Sequence, residues 1–136
     1  MSTLRTNSLE GVDAKNSITI VAGAGNITTT NVQEGLAKHW MQLNGTGTPA
    51  ATDSFNLSSI TDNQAGDYTY FYTNNFANAG YSAPMGQIVE GLELVNHYSD
   101  GETTTAQART YTYDVNNSYA IADNGGIHIT THGDLA

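Results

Sequence analysis

The feature that most constrains this chain is the period-two alternation from Asp67 to Thr73, with Tyr68, Tyr70 and Tyr72 on one side and Thr69, Phe71 and Thr73 on the other. Successive side chains of a strand point to opposite faces, so the pattern fits β-structure and not a helix. Aromatic residues stand on both sides, which predicts that both faces are covered. The same marking recurs along the chain. His39–Leu43 sets Trp40 opposite Met41 and Leu43, and Ser54–Ile60 places Phe55 and Leu57 on one face. Ile88–Tyr98 sets Leu92 and Leu94 against Val95 and His97, and Ala106–Val115 aligns Arg109, Tyr111, Tyr113 and Val115.

Turn-forming runs separate these segments: Asn44–Pro49, Asp62–Gly66, Ser99–Glu102 and Asn124–Gly126, the last leading into Ile127–Thr131. Strands parted by turns at about 8 to 12 residues predict an all-β fold, an antiparallel β-sandwich or small barrel. Earlier in the chain, Ser17–Val21 predicts a short strand. Thr30 is placed as an N-cap, with Gln33 and Glu34 in the first turn, and predicts one short helix over Asn31–Lys38. Met1 to about Asn16 shows no periodicity and reads as an extended N-terminal arm. The expected division is therefore residues 1–37, an arm, strand and helix for attachment and trimerisation, and residues 38–136, a β-rich domain.

Leu, Ile, Val and Phe supply 25 of 136 residues, just under the ~20% at which disorder enters consideration for a highly charged chain. The 8 Tyr, the Trp and the clean alternation argue against disorder. They point instead to a thin core, in which Trp40, Phe55, Leu57 and Phe71 are the expected packing residues. A thin core commonly gains further burial from partner subunits, so an oligomer is expected.

Lys and Arg total 4 against 13 Asp and Glu, for a formal net charge of −9, and Arg5, Lys15, Lys38 and Arg109 are scattered. Phosphate-tracking nucleic-acid binding needs clustered cations, so it is not expected. With no Cys there is no disulfide, thiolate metal site or Cys nucleophile. The opening Met1–Arg5 has no apolar run and no segment has the length of a membrane span, so neither a secretory signal nor membrane insertion is expected. The sequons at Asn26, Asn44, Asn56 and Asn116 carry meaning only for a secreted eukaryotic chain.

Catalytic chemistry finds little support. Ser17–Gly25 imitates the opening of a dinucleotide-binding unit, but Thr28 replaces its third small residue and no further βαβ unit follows. There is no Gly-x-Ser-x-Gly elbow. Glu90 and Glu93 point to opposite faces of a strand, and Asp100 and Glu102 sit in a turn, so no carboxylate pair suits glycoside hydrolysis. His128 and His132 share a face but stand about 13 Å apart along it, too far to hold one ion, although a three-fold axis would bring copies of a single His together. Asp62–Asp67 lacks the spacing of a calcium loop. No cofactor and no metal site are expected. The candidate binding residues are Tyr68, Tyr70, Tyr72, Tyr111 and Tyr113, which as an aromatic surface would stack on sugar rings or fill a protein interface, while a stripe of this kind is more often half-buried sheet, so interface or core outweighs a sugar site.

Three runs carry a resemblance: Lys38–Pro49 (KHWMQLNGTGTP), Asp53–Asn63 (DSFNLSSITDN) and Gly66–Thr69 (GDYT). Together with the opening Met1–Asn7 they resemble bacteriophage tail-fibre-like virion proteins, especially those of marine and cyanobacterial phages. The resemblance implies a homotrimeric structural protein located in the virion and assembled in the host cytoplasm. Its N-terminal part would attach to other tail or capsid proteins, and its β-rich part would face a host surface glycan or receptor. The chain lacks a long repetitive shaft, so it fits a short tail fibre or fibre-like appendage, with a head decoration (cement) protein as the alternative. A polysaccharide depolymerase domain is the alternative of another class.

Overall fold

The computed structural model describes residues 5–8, 10, 19–21, 29–31, 35–87, 93–98 and 102–136. The chain divides into two compact units, Met1–Leu36 and Ala37–Ala136. In the first, β1 (Thr19–Val21) pairs antiparallel with β2 (Thr29–Asn31), Ile20 opposite Thr30. The expected helix N-cap, Thr30, is thus a ladder residue. β-Branched Thr29 and Thr30 suit a strand better than a helix start, and the pairing with β1 satisfies their backbone. Residues 32–34 of the expected helix lie outside the described residues, which contain almost no helix beyond a single 3₁₀ turn, Val115–Asn117.

The second unit is built from β3 (His39–Asn44), β4 (Ala50–Phe55), β5 (Leu57–Gln64), β6 (Asp67–Tyr72), β7 (Met85–Gln87), β8 (Glu93–Tyr98), β9 (Gln107–Asp114), β10 (Ala120–Ile121) and β11 (Ile127–Thr131). These form two antiparallel sheets. One has the order β4-β3-β11-β7. In the other, β5 pairs with β6, β6 with β9, and β9 with β8, while the two-residue β10 continues the β6 edge of β9. The sheets do not close into a barrel. Their inner faces share one core, as in a sandwich: Met41, Leu43, Ile127 and Ile129 from the first sheet, Tyr68, Tyr70, Tyr72 and Ala108 from the second, with Phe76 beside them.

Tyrosines supply the bulk that a chain poor in aliphatics lacks. Tyr68 and Tyr70 are fully buried and Tyr72 nearly so. Tyr72 meets Phe76 edge-on with ring centroids 4.8 Å apart, and Tyr81 at 5.7 Å, a geometry that favours aromatic pairs. The expected core set is corrected accordingly. Trp40 is 36% exposed and Phe55 50% exposed, both outside the core, while Leu57 packs only partly against it. Phe71 is half-buried on the outer side of β6. Alternation separates two faces without saying which is inner, and here Met41 and Leu43 take the inner side of β3.

The expected strand Ser54–Ile60 breaks at Asn56, which adopts a left-handed conformation, φ 60°. Before it β4 belongs to the first sheet, and after it β5 belongs to the second. Phe55 and Leu57 therefore lie in different sheets. The Asn56 amide fastens the corner: Nδ2 donates to the carbonyls of Lys38 (2.9 Å) and Asn74 (3.0 Å), and Oδ1 accepts from Asn74 N–H (2.7 Å).

Candidate functional site

The outer face of the first sheet carries the most distinctive surface of the second unit. In register, Trp40 on central β3 lies between Phe55 of β4 and Thr130 of β11. One step along, Gln42 lies between Asp53 and His128, and His128 lies opposite Gly86 of β7. Directly opposed residues share a face, so this surface has two rows: Phe55–Trp40–Thr130, and Asp53–Gln42–His128–Gly86. Between them runs an open groove of about 270 Å³ lined by Trp40, Gln42, Asp53, His128 and Thr130, with Met41 and Ile129 at its floor.

Local structure explains the placement. β11 alternates Ile127, Ile129 and Thr131 inward with His128 and Thr130 outward, and β3 alternates His39, Met41 and Leu43 inward with Trp40, Gln42 and Asn44 outward. A bulge between Gln42 and Leu43 lets β4 follow β3 with Asp53 opposite Gln42. Asp53 Oδ1 accepts the Ser54 N–H at 2.8 Å, which orients the carboxylate at the rim. Among the described residues, a Cβ added at Gly86 would meet nothing within 4 Å at the end of the polar row beside His128.

The tyrosines singled out from the sequence do not form one surface. Tyr68, Tyr70 and Tyr72 point between the sheets and are buried, and burial pushes all three hydroxyls well above their ordinary pKa. They are core residues, because the even-numbered side of β6 meets Met41, Leu43 and Ile129. Tyr68 additionally donates its hydroxyl to Asp123 Oδ1 at 2.7 Å. Tyr111 and Tyr113 lie on the outer side of β9, half-buried, their rings 6.1 Å apart.

Beside them Arg109 makes a bidentate pair with Asp67, Nε to Oδ1 at 2.7 Å and Nη2 to Oδ2 at 2.6 Å. It also reaches Glu102 at 3.4 Å and lies 5.2 Å over the Tyr111 ring. Asp67 is almost wholly buried. Burial alone would raise its pKa, but hydrogen bonds from Arg109 and Asn63 and the guanidinium charge hold it below the usual carboxylate range. Arg109 is thus committed to two acids and a ring, which suits a structural clasp on this sheet.

Among the described residues no group of three or more His, Asp or Glu is placed to hold a metal ion, and no helix is long and apolar enough to cross a membrane. The expected strand positions 88–92 and turn positions 99–101 lie outside the described residues.

No family model, curated protein or solved structure matches the chain.

Sequence reasoning misses Gln42, Asp53, Thr130 and Gly86; it places His128 on a polar strand face, and Trp40 and Phe55 in the core. A signal was present in the alternation of Ile127 and Ile129 with His128 and Thr130, which marks an amphipathic strand whose polar side needs a neighbour. What joins that side to Trp40 is the pairing of β11 with β3, residues 90 positions apart in the case of Trp40 and Thr130, and pairing at that distance is not written locally.

Proposed function

We propose that this chain is a non-catalytic subunit of a bacteriophage particle, of the tail-fibre-like kind. It works as a homotrimer, attached through its N-terminal segment and making outward contact through its β unit. The observation that supports this reading is the Trp40–Phe55 row. The shared core of the β unit is filled without them, yet two of its largest apolar side chains stand exposed side by side on a sheet face, a mark of a contact surface. The groove beside them has a single carboxylate, Asp53, among its lining residues. Glycoside hydrolysis needs two positioned carboxyls, so the groove is suited to holding a ligand rather than cleaving one.

The test is a phage carrying Trp40→Ala in this protein. The expected result is particles assembled in normal number and composition that adsorb to host cells at least tenfold more slowly. Particles that fail to assemble, or that burst on mild heating while adsorbing normally, would establish the alternative of a head decoration protein.

A further inference from the structure

The two rows on the outer face of the first sheet differ in chemistry in a way that names a ligand class. We propose that the groove at Trp40 is a binding site for an uncharged saccharide, an inference that rests on the contact role proposed for this face. A sugar ring presents an apolar face of C–H groups and an equatorial rim of hydroxyls. A site for it needs an aromatic platform and, alongside, side chains that both donate and accept hydrogen bonds. Trp40, which lines the groove, supplies the platform, and Phe55, its cross-strand neighbour on the same face, stands beside it. Gln42, His128 and Thr130 each offer donor and acceptor atoms, and Asp53 offers an oriented acceptor. Same-face residues two apart on a strand are separated by roughly 7 Å and adjacent strands by about 4.8 Å. The polar row therefore runs parallel to the platform, within reach of the rim of a ring laid upon it.

Charge and size choose among occupants. The lining residues include no Lys or Arg and one carboxylate, and the chain carries −9 overall, so sulfated, phosphorylated or sialylated chains are disfavoured. A second copy of this face would bring Asp53 against an equally acidic partner. The platform is also small: two aromatic residues beside a polar row, against the ~800 Å² per partner of a standard protein interface. A groove of about 270 Å³ lies near the lower end of small-ligand sites, roughly 300 Å³ and upward. Gly86, paired with the groove residue His128, stands at the β7 end of the polar row. Among the described residues nothing lies within 4 Å of where its Cβ would stand, so the row leaves room past His128 for the next residue of an oligosaccharide.

Trp40 is the chain's single tryptophan, so its fluorescence reports on this site alone. The experiment titrates the full-length protein with neutral gluco-, galacto- and manno-oligosaccharides and with sulfated and sialylated oligosaccharides, following Trp40 emission and, by calorimetry, heat. The expected result is saturable quenching or a blue shift with a neutral oligosaccharide. Affinity should fall about tenfold or more in Trp40→Ala by calorimetry, and be lost in Gly86→Leu, which fills the open end without disturbing the core. Circular dichroism of both variants should match the parent. The saccharide assignment is overturned if no neutral oligosaccharide binds, if charged chains bind better, if Gly86→Leu and Trp40→Ala bind as the parent does, or if emission shifts with protein concentration alone, the signature of self-association. Adsorption to host cells that depends on Trp40 but is not competed by any saccharide would leave the contact role standing and remove only the ligand class.

Discussion

Asn56 shows how much of the fold hangs on one residue. The chain turns from one sheet to the other there with φ 60°, a conformation that Asn tolerates and Ala resists. Its amide also holds both Lys38 and Asn74. Asn56→Ala should lose about 2–3 kcal/mol, from lost hydrogen bonds and left-handed strain together, whereas Asn56→Gly should lose less because it keeps the conformation. Chemical denaturation of the two variants checks the order. Equal losses would mean that the backbone geometry contributes nothing.

His39 is the second such position. It is fully buried, stacked on Tyr70 at 5.2 Å and edge-on to Tyr72 at 5.1 Å, with Nδ1 3.1 Å from Thr131 Oγ1. Desolvation lowers its pKa from 6.5 to about 4. The unfolded chain then binds a proton below about pH 6.5 that the folded chain refuses until about pH 4. Stability should fall as pH drops through that window, by about 1.4 kcal/mol per unit and roughly 3 kcal/mol in all. Asp67, whose pKa is depressed, adds a loss in the same direction at lower pH as its pair with Arg109 is protonated away. Melting temperature measured from pH 7 to 4 should show the decline, and His39→Leu should flatten it between pH 6.5 and 4.

At the scale of elements, the strands were readable and their faces only in part. The Asp67–Thr73 alternation marks β6 correctly, and both of its faces are indeed covered: Tyr68, Tyr70 and Tyr72 inside, Asp67 and Thr69 outside beneath Arg109 and Asn63. A phenol has a polar tip, so the tyrosine stripe reads equally as a contact surface or as half-buried sheet, and in a chain poor in Leu, Ile and Val Tyr68, Tyr70 and Tyr72 are the available bulk for a core. Trp40 looked like core for the complementary reason, its size. Which side of β3 turns inward depends on Met41 and Leu43 meeting Tyr68 and Tyr70 from the other sheet, a packing that no local pattern encodes. The corner at Asn56 was invisible because a left-handed Asn inside an alternating run leaves no mark beyond the residue itself. The consequence for Trp40 is measurable. Trp40→Ala should cost about 1 kcal/mol, against the roughly 3–5 kcal/mol of truncating a buried aromatic, and parent emission should lie toward that of a solvent-exposed indole. A collapse of the fold in Trp40→Ala would put the side chain back in the core.

For the whole molecule, the same tyrosine-filled core bears on assembly. A shortage of aliphatic residues favours subunits that complete one another's cores, and the described core residues of the β unit, Met41 through Ile129, are drawn from Ala37–Ala136. We propose that this set suffices to fold that unit and that trimerisation falls to the N-terminal segment. This separates two properties that a thin core would have joined. A fragment of residues 37–136 should fold alone, with β-sheet circular dichroism and a melting temperature within a few degrees of the parent, and should sediment as a monomer. The full chain should sediment as a trimer at micromolar concentration, and the fragment should fail to enter particles while retaining whatever binding resides at Trp40. An unfolded fragment would show that Met1–Leu36 completes the fold of the β unit. A trimeric fragment would move the subunit contacts onto the sheets themselves, and a monomeric full-length chain would remove the trimer from the proposal.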